Sequence, residues 1–336
     1  MERLNISDSA LVQSYEDFLQ SNGGDFLQST LWANVKPGWL QEIYIFRDSS
    51  GKIIGSFAVL IKKISVLCFN FSFIYCPRGP LIDWKDKEMS KAFLNQVKSL
   101  MHKHHGIFFK MEPALLKDDT VTIEAIKSLG FKLSLEDIQC KDNYILNIEN
   151  RDKEELINSF KKQWRYNIRY APKKGVTCDF YGTDRLGDFY SLLEETAERD
   201  NFPIREQAYF KRMMESLGDE HCKLCLTYLD DEPLTGAIIC IFGGRVSYVY
   251  GASSNRHRNL MPNYYMQWTM MSYAIDHHQK IYDFQGIPHF DDPNSPNYGT
   301  YHFKKGFNGE VVQYVPGFDI VRWVPRKLIY KFKKYM

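Results

Sequence analysis

Two stretches of this chain, residues 51–113 and 231–286, run through one plan twice. In the first, GKIIGSFAVLI leads through FIYCPRGPL to KEMSKAFLNQVKSLMHKHHG and then IFFKMEP. In the second, DEPLTGAIICIF leads through RVSYVYGASS to NYYMQWTMMSYAIDHHQK and then IYDFQG. Each reads strand, strand, helix ending in His-His, strand, with Gly55 answering Gly236 and Tyr75 answering Tyr250. Apolar alternation of period two marks the strands, and a 3.6-residue period marks the helices. Four elements recurring in order predict an α+β protein of two similar domains in tandem, with mixed sheets flanked by helices. A chain of 336 residues, 44% hydrophobic and 15% aromatic, is long enough to fill two such cores. The expected domains are residues 1–148, with 313–336 returning to them, and residues 149–312.

Helices precede each copy: SYEDFLQ runs on to STLWANVKPGW, and DFYSLLEETAERDNF to PIREQAYFKRM. The order α–α–β–β–α–β resembles the acyltransferase fold of the GNAT N-acetyltransferases. That fold's acetyl-CoA signature is a glycine-rich turn whose backbone amides hold a pyrophosphate. Here the turns after the paired strands read CPRGPL and GASSNRHRNLMPN, without those glycines. No cofactor is therefore expected.

The net charge of +2 gives no polyanion signal by itself. The charged, amphipathic MERLNISDSALVQSYEDF does not read as a leader peptide. The most apolar run, SFAVLIKKISVLCFNFSFIY, is interrupted by Lys62 and Lys63 and falls short of a bilayer span. Seven cysteines without framework spacing read as reduced thiols, so a cytoplasmic location is expected. HCKLC (221–225) has no second ligand pair at a zinc spacing; Cys222 and Cys225 read as core residues of a strand, and no metal is expected.

Charge concentrates locally. In FKKQWRYNIRYAPKKGV (160–176), Phe160, Trp164 and Ile168 fall on one helical face, with Lys161, Arg165 and Arg169 in the adjoining row. Pro172 is expected to end the helix before Lys173 and Lys174. Lys161, Lys162, Arg165, Arg169, Lys173 and Lys174 form a field without an acidic neighbour, suited to a nucleic-acid backbone, and Trp164, Tyr166 and Tyr170 could stack on bases. The alternative is a solvated linker helix whose rings pack on its domain. The C-terminal RWVPRKLIYKFKKYM has the same composition, which suits polyphosphate, an anionic membrane surface or a frayed tail alike.

Together the tandem domains, KKQWRYNIRYAPKKGV, YVYGASS, YDFQGI and HFKKGFNGE resemble the Fem family of non-ribosomal peptidyl transferases, over nearly the whole chain. The resemblance implies transfer of an amino acid (Ala, Ser or Gly) from aminoacyl-tRNA to the stem-peptide amine of a peptidoglycan precursor. The acceptor would be lipid II or UDP-MurNAc-pentapeptide. LGDEHCKLCLTYL passes directly from helix to strand, so the coiled-coil arm of some members is expected to be missing.

The resemblance also assigns residues. Lys36, Arg205, Tyr209 and Tyr250 would bind the acceptor, whose diphosphate and carboxylates suit cations and whose chain suits aromatic walls. Phe303 and Lys304 would face the tRNA end, with Lys304 stabilising the tetrahedral oxyanion formed when the amine attacks the ester. Glu112 stands where the family can carry an aspartate and is the candidate general base; a substrate carboxylate is the other. A monomer is expected, and the basic tail tilts the expectation toward peripheral contact with the inner face of the membrane. Two rival readings are an acyl-CoA-dependent N-acyltransferase and a non-catalytic RNA-binding protein.

Overall fold

A computed structural model describes residues 1–66, 69–295, 298–322 and 325–330. Along the chain the strands are β1 (Glu2–Arg3), β2 (Leu40–Arg47), β3 (Ile53–Val66), β4 (Phe69–Pro77), β5 (Gly106–Glu112), β6 (Lys132–Leu133), β7 (Asp142–Asn147), β8 (Val176–Tyr181), β9 (Cys222–Leu229), β10 (Glu232–Phe242), β11 (Arg245–Ser253), β12 (Ile281–Gly286), β13 (Glu310–Gln313) and β14 (Phe318–Val321). They form two mixed seven-stranded sheets in two compact units, Met1–Lys141 with Gln313–Met336, and Asp142–Val312. The boundary falls earlier than the 148/149 expected, because β7 pairs antiparallel with β12 and so belongs to the second unit.

The first sheet runs β1-β2-β3-β4-β5-β14-β6. Strands β2, β3 and β4 are antiparallel, and β4 and β5 pair in parallel from Ser72↔Gly106 to Pro77↔Glu112. Helix Lys87–Lys103 spans that parallel step. Asp86 caps it by accepting from the amides of Glu88 and Met89, and Met89, Phe93, Val97 and Leu100 face the sheet at helical spacing. Phe93 meets Phe57 edge-on at 4.9 Å in the core.

The second sheet runs β13-β7-β12-β11-β10-β9-β8. Strands β8 to β11 are antiparallel, and helix Pro262–Asp276 carries the chain across to β12, parallel to β11. The repeat therefore holds, and each copy carries one further strand ahead of it: β9, read from HCKLC and the residues after it, precedes β10, and β2, not read from the sequence, precedes β3. The matched His-His pairs show how close the copies are. His104 and His277 cap their helices at φ −103° and −102°, and His105 and His278 follow in the left-handed region at φ 51° and 53°. Helix Gln207–His221 gives way to β9 at Cys222 with no helical arm between them.

The basic segment differs from expectation in detail. Phe160 caps the preceding helix Lys153–Ser159 instead of opening the next. The basic helix covers Lys162–Lys173 with Pro172 inside its last turn. A proline there removes one hydrogen bond at a frayed end, so the helix closes only at Lys174.

In the C-terminal tail, Arg326 forks onto both oxygens of buried Asp319 at 2.7 Å, and the Tyr330 hydroxyl also donates to Asp319. That cation is held by its own domain. Residues 323, 324 and 331–336 of the tail lie outside the described residues.

Candidate active site

In the second unit β11 and β12 pair over only three positions, Arg245–Ser247 against Ile281–Asp283. Both strands are irregular beyond that point: β11 bulges at Val249, where its register with β10 steps from Ile238↔Tyr250 to Ile239↔Tyr248. Against β7 the register of β12 steps from Asp283↔Ile145 to Gly286↔Asn143, so one extra residue bulges out of β12. Gln285 takes φ 60° within the bulge, and the strand leaves β11. The corresponding strands of the first unit, β4 and β5, stay paired along all of β5. The second unit alone has this parted pair.

Lys304 lies in the last turn of helix Tyr298–Lys305 and is 5% exposed. Its Nζ donates to the carbonyl oxygens of Gly286 (2.8 Å) and Gln285 (3.4 Å), at the bulge. An ammonium directed by two backbone carbonyls has a fixed direction, unlike a lysine on a solvated turn. Phe303 is half-buried, edge-on to Tyr264 at 5.0 Å and to Phe307 at 5.4 Å.

The basic helix is fastened to this element. The Trp164 indole Nε1 donates to the Phe303 carbonyl at 2.9 Å, and the Lys161 amide donates to the Gly306 carbonyl at 3.0 Å. Gly306 has no room for a side chain, since a Cβ there would lie 2.0 Å from Trp164 Cε2. Trp164 is consequently buried between Tyr264 and His302 and is removed from the set of base-stacking rings. Tyr166 and Tyr170 stack on each other at 5.6 Å, with Tyr166 exposed. Lys161 Nζ lies 5.5 Å above the Trp164 ring and Lys174 Nζ 5.4 Å above Tyr170. Arg165 donates to the Asn158 carbonyl at 3.0 Å. Lys161, Lys162, Arg169, Lys173 and Lys174 are exposed, and Arg165 is half-buried.

Arg205, Tyr209 and Tyr250 come together in the same unit. The guanidinium lies 4.8 Å over the Tyr209 ring, and the Tyr250 hydroxyl donates to that of Tyr209 at 3.3 Å. Burial first, then the neighbouring Tyr250, pushes the Tyr209 hydroxyl far above its usual range, so it stays a neutral phenol. Tyr250 stands on β11 past the point where its pairing with β12 stops.

The two candidates of the first unit differ. Lys36 caps the short helix Trp32–Val35, half-buried, its Nζ 5.8 Å over the Trp32 ring. Glu112 is buried at the end of β5 and built into its domain. Its Oε1 accepts from the Ile138 amide at 2.6 Å and lies 3.4 Å from Lys110 Nζ. Its Oε2 accepts from the Tyr75 hydroxyl and from the Gln139 amide at 3.2 Å. Three hydrogen bonds and the Lys110 ion pair hold the carboxylate within its own domain.

The family model described as "FemAB family" matches residues 11–233 and 228–336, nearly the full length. The chain belongs to the FemAB family. A relative named lipid II:glycine glycyltransferase, from Staphylococcus aureus (strain MRSA252), is 29% identical over 96% of this chain and 93% of its own. The protein of strain USA300 with the same name is 28% identical with the same coverage. Among solved structures, FemX superposes with a TM-score of 0.85 at 26% identity, covering 99% of each chain. A tandem GNAT protein from the clavulanic acid pathway covers 95% of this chain and 98% of its own, with a TM-score of 0.59 at 10% identity. That second likeness speaks for the fold alone, which is the tandem GNAT architecture expected from the repeat.

Sequence reasoning missed three things in this FemAB protein: the bulge in β12, the carbonyls of Gln285 and Gly286, and the burial of Lys304. YDFQG carries no glycine at the left-handed position, so nothing in its spelling announces the kink. A weak signal was present in Lys304 and Lys305, one buried and one exposed, at the end of an aromatic-rich segment.

Proposed function

We propose that this FemAB-family enzyme transfers an amino acid from aminoacyl-tRNA to the stem-peptide amine of lipid II, building a peptidoglycan cross-bridge. The observation that carries the proposal is the fixed Lys304 ammonium at the parted end of β11 and β12, on an element fastened to the basic helix. In this reading the basic row Lys161, Lys162, Arg165, Arg169, Lys173 and Lys174 takes the phosphates of the tRNA, and the aminoacyl end enters the parted strands beside Phe303. Arg205, Tyr209 and Tyr250 hold the acceptor, the guanidinium taking its diphosphate or a carboxylate.

The chemistry asks for little covalent help. The acceptor amine attacks the ester carbonyl, the tetrahedral oxyanion forms, and the tRNA ribose hydroxyl leaves. Lys304 stabilises the oxyanion, an effect whose loss typically costs about 10²–10³ in rate. Positioning supplies most of the remainder. The general base is a carboxylate of the bound substrate, because Glu112 accepts three hydrogen bonds and pairs with Lys110 inside its own domain. Among Gly, Ala and Ser, the names of the relatives favour glycine as the donor residue.

The test offers the purified protein aminoacyl-tRNAs charged with Gly, Ala or Ser, each with lipid II or UDP-MurNAc-pentapeptide, and weighs the products. One glycyl residue added to lipid II is expected. Transfer from an acyl-CoA instead, or tRNA binding without any transfer, would replace this reading with one of its rivals.

A further inference from the structure

Asp283 is a buried carboxylate that the reaction above does not use. It lies on β12 between Tyr282 and Phe284, both wholly buried, and is itself 1% exposed. Four groups converge on it. Arg245 Nη1 reaches Oδ2 at 2.8 Å, and the Gln285 backbone amide donates to Oδ1 at 2.7 Å. Gln285 Nε2 donates to Oδ2 at 3.3 Å, and Asn143 Nδ2 lies 3.4 to 3.5 Å from both oxygens.

The bond to the Gln285 amide carries the inference. Gln285 sits in the left-handed region at φ 60°, which is unfavourable for an L-residue unless something local offsets it. An acceptor two residues back that captures the amide is such an offset, the geometry of an Asx-turn. The kink it holds turns the Gln285 and Gly286 carbonyls onto Lys304 Nζ.

We propose that Asp283 is a positioning residue: it locks the left-handed bulge at Gln285 and so aims the two carbonyls that direct the Lys304 ammonium. It touches no substrate. The inference rests on the reading of Lys304 given above for its meaning in catalysis, but not for its geometry. The side chain at 285 is dispensable here, whereas its backbone conformation is not. Glycine at 285 would adopt the same conformation unaided.

The experiment labels lysines of the intact protein with an N-hydroxysuccinimide ester and follows the Lys304 peptide by mass spectrometry. Exposed Lys305 serves as the internal reference. In Asp283→Ala, which removes the acceptor, Lys304 is expected to label about tenfold faster relative to Lys305, with kcat for transfer down about ten- to hundredfold. Asp283→Ala combined with Gln285→Gly is expected to return both values toward wild type. A structural role in folding alone would not give that rescue.

Should Asp283→Ala fail to fold, Gln285→Val decides, because a β-branched residue resists the left-handed region while Asp283 stays in place. It is expected to show the same faster labelling. Unchanged Lys304 labelling in the folded variant, or no rescue by glycine, overturns the proposal even if Lys304→Met is inactive. Faster, rescued labelling upholds it even if Lys304→Met transfers normally, in which case the catalytic reading of Lys304 is the part that falls.

Discussion

The Trp164 indole nitrogen donates to the Phe303 carbonyl at 2.9 Å, across 139 residues of chain. That bond ties the helix bearing the basic row to the helix whose last turn carries Lys304. Trp164→Phe keeps an aromatic ring but deletes the donor and part of the buried indole, so it should cost about 1–3 kcal/mol of stability. Gly306→Ala should do more harm, because its new methyl meets the indole at 2.0 Å. Thermal denaturation and transfer kinetics, measured together, should show kcat falling in both variants.

The basic row makes a salt-dependent prediction. Replacing Arg165 and Arg169 with alanine should raise KM for aminoacyl-tRNA and lower the slope of log affinity against log salt by about one per lost phosphate contact. KM for the acceptor should stay put. Titrations at several ionic strengths check this, and an unaltered slope would place the tRNA elsewhere.

For the acceptor, Arg205→Lys is the informative change. Lysine keeps the charge but loses the planar face that lies 4.8 Å over Tyr209 and the two-pronged donor set. Loss of one charge-assisted pair at about 1.5–3 kcal/mol corresponds to roughly a ten- to hundredfold rise in acceptor KM. KM for aminoacyl-tRNA should be unaffected.

Much of this arrangement was legible in the sequence, and the limits are physical. The repeat could be read because His104–His105 and His277–His278 mark the same cap and left-handed turn in both copies. Arg205 and Tyr209 were singled out by the family resemblance alone, since Arg205 precedes helix Gln207–His221 and no periodicity pairs it with Tyr209. The bulge could not be read, since its left-handed residue is a glutamine held by a neighbouring aspartate. The fate of Trp164 was equally hidden. A ring in a basic helix looks available for stacking until a distant carbonyl and a glycine are found to have claimed it. Glu112 looked like a base because the two amides that occupy it come from Ile138 and Gln139, a loop whose conformation no periodicity reveals.

Glu42 supplies a pH test in the first unit. Burial opposes its ionisation, yet hydrogen bonds from Lys103 and Tyr44, with Arg3 and His104 nearby, hold its carboxyl below the usual 4.5. A depressed carboxyl stabilises the fold above its unfolded value, and that stability is lost as pH falls from about 4.5 through the lower folded value. Melting temperature should therefore drop across that acid range. Glu42→Gln should flatten the drop while lowering stability at neutral pH by about 1–3 kcal/mol.

Lys304 is where the account is most exposed to test. The decisive measurement is the single-turnover rate of transfer from bound aminoacyl-tRNA to lipid II in wild type and Lys304→Met. The rate should fall about 10²–10³-fold with tRNA affinity little changed. A variant that transfers as fast as wild type would contradict it.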